Sequence, residues 1–155
     1  IHHIGIREPE RGRYDGIRDV DYVTGCAVLA RMSTVAEIGD LDETYLMYNE
    51  DTDWCARCLA AGHAVVTVSR AKMWHKVSLS SGGGLTEYKI YNRLRSTLRF
   101  FSLHARPYHW LGIVPATIAR ALWFAVAQLL SGRPGNAAAV ARGTVDSATR
   151  RKRTL

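Results

Sequence analysis

Four acid or amide side chains, Asn49, Glu50, Asp51 and Asp53, stand directly before an apolar run in YLMYNEDTDWCARCLAAGH, residues 45–63. Two kinds of chemistry fit that pattern. Carboxylates in the first turn of a helix meet its positive end and cap its free N–H groups, each for roughly 0.3–1 kcal/mol. A carboxylate fixed at the rim of a strand layer, ionised at neutral pH and aimed at a hydroxyl, is instead a general base. The helix end that holds and charges such a group also lowers its basicity. It therefore suits a transfer in which the proton leaves late, as the hydroxyl attacks. On the residues alone both readings stand.

Other reactive residue types are weaker signals. Cys55-Ala-Arg-Cys58 has the CxxC spacing of redox and zinc sites, yet it falls inside an expected helix and has no second pair. Two small core residues fit that context better. SSGGGL, within residues 78–85, lacks the lysine and the following helix of a phosphate-binding loop, and reads as a linker or a lid over bound substrate.

These residues need elements to place them. Residues 1–18 are polar, interrupted by Pro9, Gly12 and Gly16, and read as loop. VDYVTGCAVLARM is rich in β-branched residues and reads as a buried strand pair, or one strand bent at Gly25. Ser33 is placed to cap a short helix ended by Gly39, and a second helix over 50–61 stops at Gly62. HAVVTVS and AKMWHKV then read as strands, and the chain turns helical from Thr86. The order strand, helix, helix, strand suits an α/β layer arrangement.

The 155 residues suffice for one core, and 47% hydrophobic content fits a globular chain. A formal charge of +7 suggests an anionic partner. Three cysteines cannot all pair, and no signal peptide is visible, so a reducing cytoplasmic setting is expected. The chain opens with Ile rather than Met, which suggests a piece of something longer.

The stretch DYVTGCAVLARMSTVAEIGDLDETYLMYNEDTDWCARCLAAGHAVVTVSRAKMWHK resembles the C-terminal half of the catalytic domain of family 2 glycosyltransferases, especially rhamnosyltransferase-like ones. Gly25 and Arg31 fall in the family's strand motif, Gly39-Asp40-Leu41-Asp42-Glu43 in its GGFDE segment, and Glu50-Asp51-Thr52-Asp53 in its ED.D segment. Gly62 and His75 follow in family order. The resemblance covers about residues 20–76 closely and the helical tail loosely.

That resemblance implies an α/β, partial GT-A-type (Rossmann-like) nucleotide-diphospho-sugar transferase fold over residues 1–85. A membrane-surface helical tail follows over 86–155. It implies an inverting transfer from a nucleotide-sugar donor to a glycan or lipid-linked acceptor, in cell-wall or surface polysaccharide synthesis. Asp51 matches the general base. Glu50, Asp53 and Gly25 match acceptor-binding or orienting positions. His75 matches a ligand of a divalent metal, Mg or Mn, whose other ligands belong to the nucleotide-binding half. Position 40 is Asp where the family commonly has a second Gly. The nucleotide-binding half and its usual DxD are absent from these residues; Asp19/Asp21, Asp40/Asp42 and Asp51/Asp53 each lie within another motif. This chain alone is then expected to be inactive.

Toward the C-terminus, Ile90, Tyr91, Leu94, Leu98 and Phe101 share one helical face, with Lys89, Asn92, Arg93, Arg95 and Arg99 broadly opposite. Such a basic amphipathic helix lies on an anionic membrane or docks within its own protein. LGIVPATIARALWFAVAQLL, residues 111–130, approaches spanning length, but Arg120 at its centre costs roughly 2.5–3.5 kcal/mol on insertion. A helix beginning at Pro115 would have about 17 residues, ~25 Å, short of the ~30 Å hydrocarbon core. An interfacial helix is expected, placing the protein peripherally at the inner face of the cell membrane. TRRKRTL reads as a solvated tail. The alternative to an enzyme is a non-catalytic membrane- or partner-binding piece of the same fold. A nucleic-acid binder is not supported, since charge alone points to it.

Overall fold

A computed structural model describes residues 12, 14–75 and 84–149. They divide into two compact units. The described residues of Ile1–Glu43 and Glu50–Lys76 form the first, and those of Thr44–Asn49 and Val77–Leu155 the second. The expectations for SSGGGL (beyond Gly84-Leu85), for most of residues 1–13 and for RRKRTL fall outside the described residues.

In the first unit the order is β1 (Ile17–Asp19), α1 (Met32–Ile38), α2 (Glu50–Ala60) and β2 (Val66–Val68). The order strand, helix, helix, strand is found, with a different first strand from the one expected. The strands pair antiparallel, with Ile17 opposite Val68, Arg18 opposite Thr67 and Asp19 opposite Val66. Their places differ from expectation. β1 lies in the stretch read as loop, while residues 20–31 and 71–75 form no strand. A strand must hand each N–H and C=O to a neighbour. The ladder continues one step, from Val20 N to Val65 O at 2.9 Å. Beyond that step no further strand lies alongside among the described residues, so β propensity has nothing to act on.

Helix α1 begins two residues earlier than read. Arg31 is its N-cap and makes no side-chain cap bond, so Ser33 is a helical residue and not the cap. Gly39, at φ +80°, ends the helix as expected. α2 closes with a Schellman motif: Gly62, at φ +83°, donates to Leu59 O at 3.1 Å and His63 N donates to Cys58 O at 3.0 Å. The inner face of α2 buries Cys55 and Cys58 with Val65, flanked by Val20, Tyr22, Val23, Ile38 and Trp54. Burial raises both thiols above the ordinary value, so they stay protonated, and both cysteines are free. The CxxC pair is core.

The second unit holds α3 (Glu87–His104), α4 (Trp110–Leu130) and α5 (Pro134–Thr149). Thr86 caps α3 by accepting from Lys89 N at 3.3 Å. Ile90, Ala139 and Val140 form the core between α3 and α5, with Tyr91, Leu94, Ala121 and Phe124 against it. Tyr91 Oη donates to Asp146 at 2.6 Å, tying the two helices on the edge of that core. The apolar face of α3 thus docks inside its own unit.

Its basic side is also engaged. Ser96 Oγ lies 2.7 Å from the Met47 carbonyl and 3.1 Å from that of Tyr45. Arg95 donates to Thr44 O at 3.0 Å, and Arg93 and Arg99 lie over the rings of Tyr48 and Tyr45. These contacts hold Leu46, Tyr48 and Asn49 in left-handed backbone, at φ 57°, 67° and 66°. Such geometry costs on the order of 1–3 kcal/mol per non-glycine residue when held rigidly. Of the two settings read for α3, a membrane surface or its own protein, these contacts are of the second kind: Arg93, Arg95 and Arg99 grip the 44–49 segment.

α4 departs further. It continues past Pro115, starting at Trp110 directly after a 3-10 turn over Pro107–His109. Its 21 residues give about 31 Å, which matches the ~30 Å of a hydrocarbon core. The stretch Pro107–Leu130 is long and apolar enough to cross a membrane, and its most apolar window has no buried residue. The argument from shortness fails, because a proline in the early turns removes one N–H without ending the helix.

Candidate functional site

The first turn of α2 opens onto a cleft of about 290 Å³. Asp51, Glu50 and Asp40 lie on its lining with Gly25, and Val28, Val35, Leu41 and Trp54 supply apolar walls. Four short segments between Val23 and Cys55 meet there.

Asp51 is half-buried, and its two oxygens do different things. Oδ1 accepts from Thr52 N at 2.7 Å and from Thr52 Oγ1 at 3.2 Å, which caps the opening of the helix. Oδ2 accepts from Gly25 N at 2.8 Å. A carboxylate has about four acceptor sites, so one stays open for a donor entering the cleft. Both sequence readings meet in this side chain: it caps, and it faces an opening. Its charge reaches its neighbours. Tyr22 is raised above the ordinary phenol value, first by burial and then by Asp51; Cys55 is raised by the same two causes.

Gly25 positions Asp51 through its N–H and stands close to it. A Cβ at residue 25 would lie 3.6 Å from Asp51 Oδ2, ordinary contact distance. Glu50, beside it on the lining, has its Oε2 buried with no hydrogen-bond partner. An unpaired buried acceptor costs about 1–3 kcal/mol, so this oxygen favours any hydroxyl that reaches it.

Asp53 has another setting. Only 2% exposed, it accepts from Arg57 Nε at 2.9 Å. Arg57 also donates to the carbonyls of Ile38 and Asp40, and Trp54 Nε1 donates to Gly39 O at 2.8 Å. Asp53 thus anchors an arginine that pins the Gly39–Asp40 loop, and it does not line the cleft. Sequence reasoning missed Arg57 and Trp54, although an acid four residues before an arginine on a helix was a usable signal. Asn49, read as a cap, instead donates its amide to Thr97 Oγ1 at 3.3 Å in the second unit.

His75 is exposed beyond β2 and is not on the cleft lining. Among the described residues no group of three His, Cys, Asp or Glu side chains is placed to hold a metal ion. Of the ligands of the divalent cation implied by the resemblance, only His75 was expected in this chain, and nothing beside it among the described residues completes a site.

Two curated proteins are similar to part of this chain. Both are named N-acetylglucosaminyl-diphospho-decaprenol L-rhamnosyltransferase, from Mycobacterium tuberculosis strains CDC 1551 / Oshkosh and ATCC 25618 / H37Rv. Each is 37% identical over 65 residues, 42% of this chain and 21% of the relative's own length. No family model matches, and no solved structure matches. The chain thus spans about a fifth of the length of its curated relatives, and within that stretch it is related to a glycosyltransferase.

Proposed function

We propose that the cleft beside α2 is the acceptor side of a family 2, inverting glycosyl transfer, from a nucleotide-sugar donor to a lipid-linked or polysaccharide acceptor. The observation that carries this reading is the Asp51 carboxylate, fixed by the Gly25 N–H yet open to the cleft. The similarity to a rhamnosyltransferase over 65 residues supports the reaction class.

In this reading an acceptor hydroxyl enters between Asp51 and Glu50. Glu50 Oε2, lacking a partner, accepts from a neighbouring hydroxyl and sets the acceptor's orientation. Asp51 takes the proton of the attacking hydroxyl as its oxygen closes on the anomeric carbon. Inversion needs no nucleophile from the protein, and a single base suffices. Asp53 keeps the site in shape through Arg57. The donor, its cation and the Rossmann-like layer that would hold them are proposed to belong to sequence other than these 155 residues, so the chain alone should not consume nucleotide sugar. The protein works peripherally at the inner face of the membrane, and α4 rather than α3 is the element that meets lipid.

The test is sugar transfer to a lipid-linked acceptor by the protein at its natural length, with Asp51 and with Asp51→Asn. Removing a general base costs 10²–10⁴-fold. We expect transfer to fall by at least about a hundredfold while donor affinity is kept. Near-normal turnover removes Asp51 from the role.

A further inference from the structure

One residue on the lining of the cleft beside α2 has no part in the acceptor chemistry above. Asp40 stands there, where the resembled segment commonly has glycine. It follows Gly39 at the C-terminal end of α1, where a carboxylate gains nothing from the helix. The residue is exposed, and its carboxylate has no hydrogen-bond or ion-pair partner among the described residues. Its main chain, in contrast, is held. Arg57 donates to the Asp40 carbonyl at 2.7 Å, and Gly39 turns the chain just before it at φ +80°. A carboxylate left open on an anchored backbone is placed to meet a ligand.

Charge on the cleft is one-sided. Asp40, Glu50 and Asp51 are on its lining, and no lysine, arginine or histidine is. Arg57, next to the Gly39–Asp40 loop, is already paired with Asp53 and donates to the carbonyls of Ile38 and Asp40. The rest of the wall is apolar, including Val28, Leu41 and Trp54, whose indole N–H is tied to Gly39 O. An anionic ligand would meet three like charges there and no counter-charge. Unpaired charges set against the wrong ligand are a source of specificity in themselves. The buried Oε2 of Glu50, without a partner, favours a donor instead. A sugar ring without a carboxylate or phosphate satisfies both demands: its hydroxyls donate to the acids, and its C–H faces lie against the apolar walls.

We propose, resting on the acceptor reading above, that Asp40 is a specificity-determining residue of the cleft. It accepts a hydrogen bond from a hydroxyl of a non-anionic acceptor sugar, and its charge turns away sugars that carry a carboxylate. Asp51 and Glu50 hold the reacting end of the sugar; Asp40 selects which sugar enters.

The experiment titrates the full 155-residue chain with two probes, methyl β-glucoside and methyl β-glucuronide, whose rings differ only at the sixth carbon. Binding is followed by NMR at the Trp54 indole N–H, which is bonded to Gly39 O beside Asp40. The wild-type chain should bind the glucoside at least about fivefold more tightly, the factor carried by one like-charge contact at ~4 Å across water. Asp40→Asn removes the charge and keeps an acceptor oxygen. Its glucoside affinity should stay within about twofold, while the glucuronide gains about fivefold. Asp40→Gly removes the acceptor as well, so the glucoside should weaken about fivefold, as for loss of one hydrogen bond. Both variants should keep their helix content by circular dichroism. Absence of saturable binding, equal affinity of the wild-type chain for the two glycosides, an unchanged ratio in Asp40→Asn, or full glucoside affinity in Asp40→Gly would each overturn the assignment. The readout is separate from turnover. Loss of transfer in Asp51→Asn with an unchanged ratio in Asp40→Asn sinks the selecting role alone; a shifted ratio with normal transfer in Asp51→Asn sinks the base alone.

Discussion

The cleft beside α2 and the outer face of α4 both leave groups unmatched, in opposite ways. In the cleft the unmatched groups are few, polar and fixed: one acceptor site of Asp51 and the buried Oε2 of Glu50. On α4 they are many and apolar, from Leu111 at 83% exposure to Leu130 at 84%. The first pattern asks for a hydroxyl in one orientation. The second asks only for hydrocarbon, in no particular register. On the proposed reading, specificity belongs to the cleft and location to the helix.

The largest effect expected is on the helix. Ile118→Glu with Leu122→Glu puts two charges on the exposed face, each costing roughly 2.5–3.5 kcal/mol if that face meets lipid. Vesicle flotation should drop by more than about a hundredfold in partition. Unchanged flotation would mean that something other than lipid covers α4, and the contrast between the two regions would collapse.

Next comes the support of the cleft. Arg57→Ala removes the ion pair made by the buried carboxylate of Asp53, at a cost of about 3 kcal/mol. Chemical denaturation followed at Trp54 should show that loss, and a change below about 0.5 kcal/mol, as for an ordinary surface site, would remove Arg57 as an anchor. A smaller effect is steric. Gly25→Ala places its Cβ in ordinary contact with Asp51 and should leave transfer nearly intact. Gly25→Val crowds the carboxylate and should cost about tenfold in rate, as misplacement of a reacting group does. Equal activity in the two variants would mean that the position of Asp51 is not set here.

The smallest effect is on pH. Cys55 and Cys58 have raised values in the fold, so the folded state keeps these protons longer than the unfolded chain does. Their stability contribution is whole below the ordinary thiol value of 9.0 and declines as pH rises above it. Tyr22, also raised, adds the same sign from 10.0 upward. The thermal midpoint should be flat to pH 9.0 and fall beyond it, less steeply in a Cys55→Ala/Cys58→Ala double variant. An equal slope in both proteins would exclude the thiols as the cause.

What could be read from the residues depended on how local the cause was. Helix α2 and its glycine stop were legible, because Gly62 and the periodic run decide them within one turn. The meeting of Gly25 with Asp51 was legible only through the family resemblance, since 26 positions separate them. The strand over residues 20–31 was misread because pairing depends on a neighbour and not on the segment itself. Pro115 misled in the same way: it marks a favoured first turn, and the preceding Pro107–His109 turn had already supplied the start. The partner of the basic face of α3 was left open between a membrane and its own protein, because nothing in Thr44–Asn49 announces three left-handed residues, two of them not asparagine. Composition and spacing alone do not distinguish two carboxylates two positions apart; the resemblance gave Asp51 and Asp53 different roles, and packing places Asp51 on the cleft and Asp53 beneath Arg57.

That separation is where the account is most exposed. Transfer rate and unfolding free energy should be measured together for Asp51→Asn and Asp53→Asn in the protein at its natural length. The account predicts that the residue 51 variant keeps its fold and loses transfer, while the residue 53 variant loses stability and its folded fraction still transfers. A folded Asp53→Asn without activity, beside an active Asp51→Asn, would contradict it.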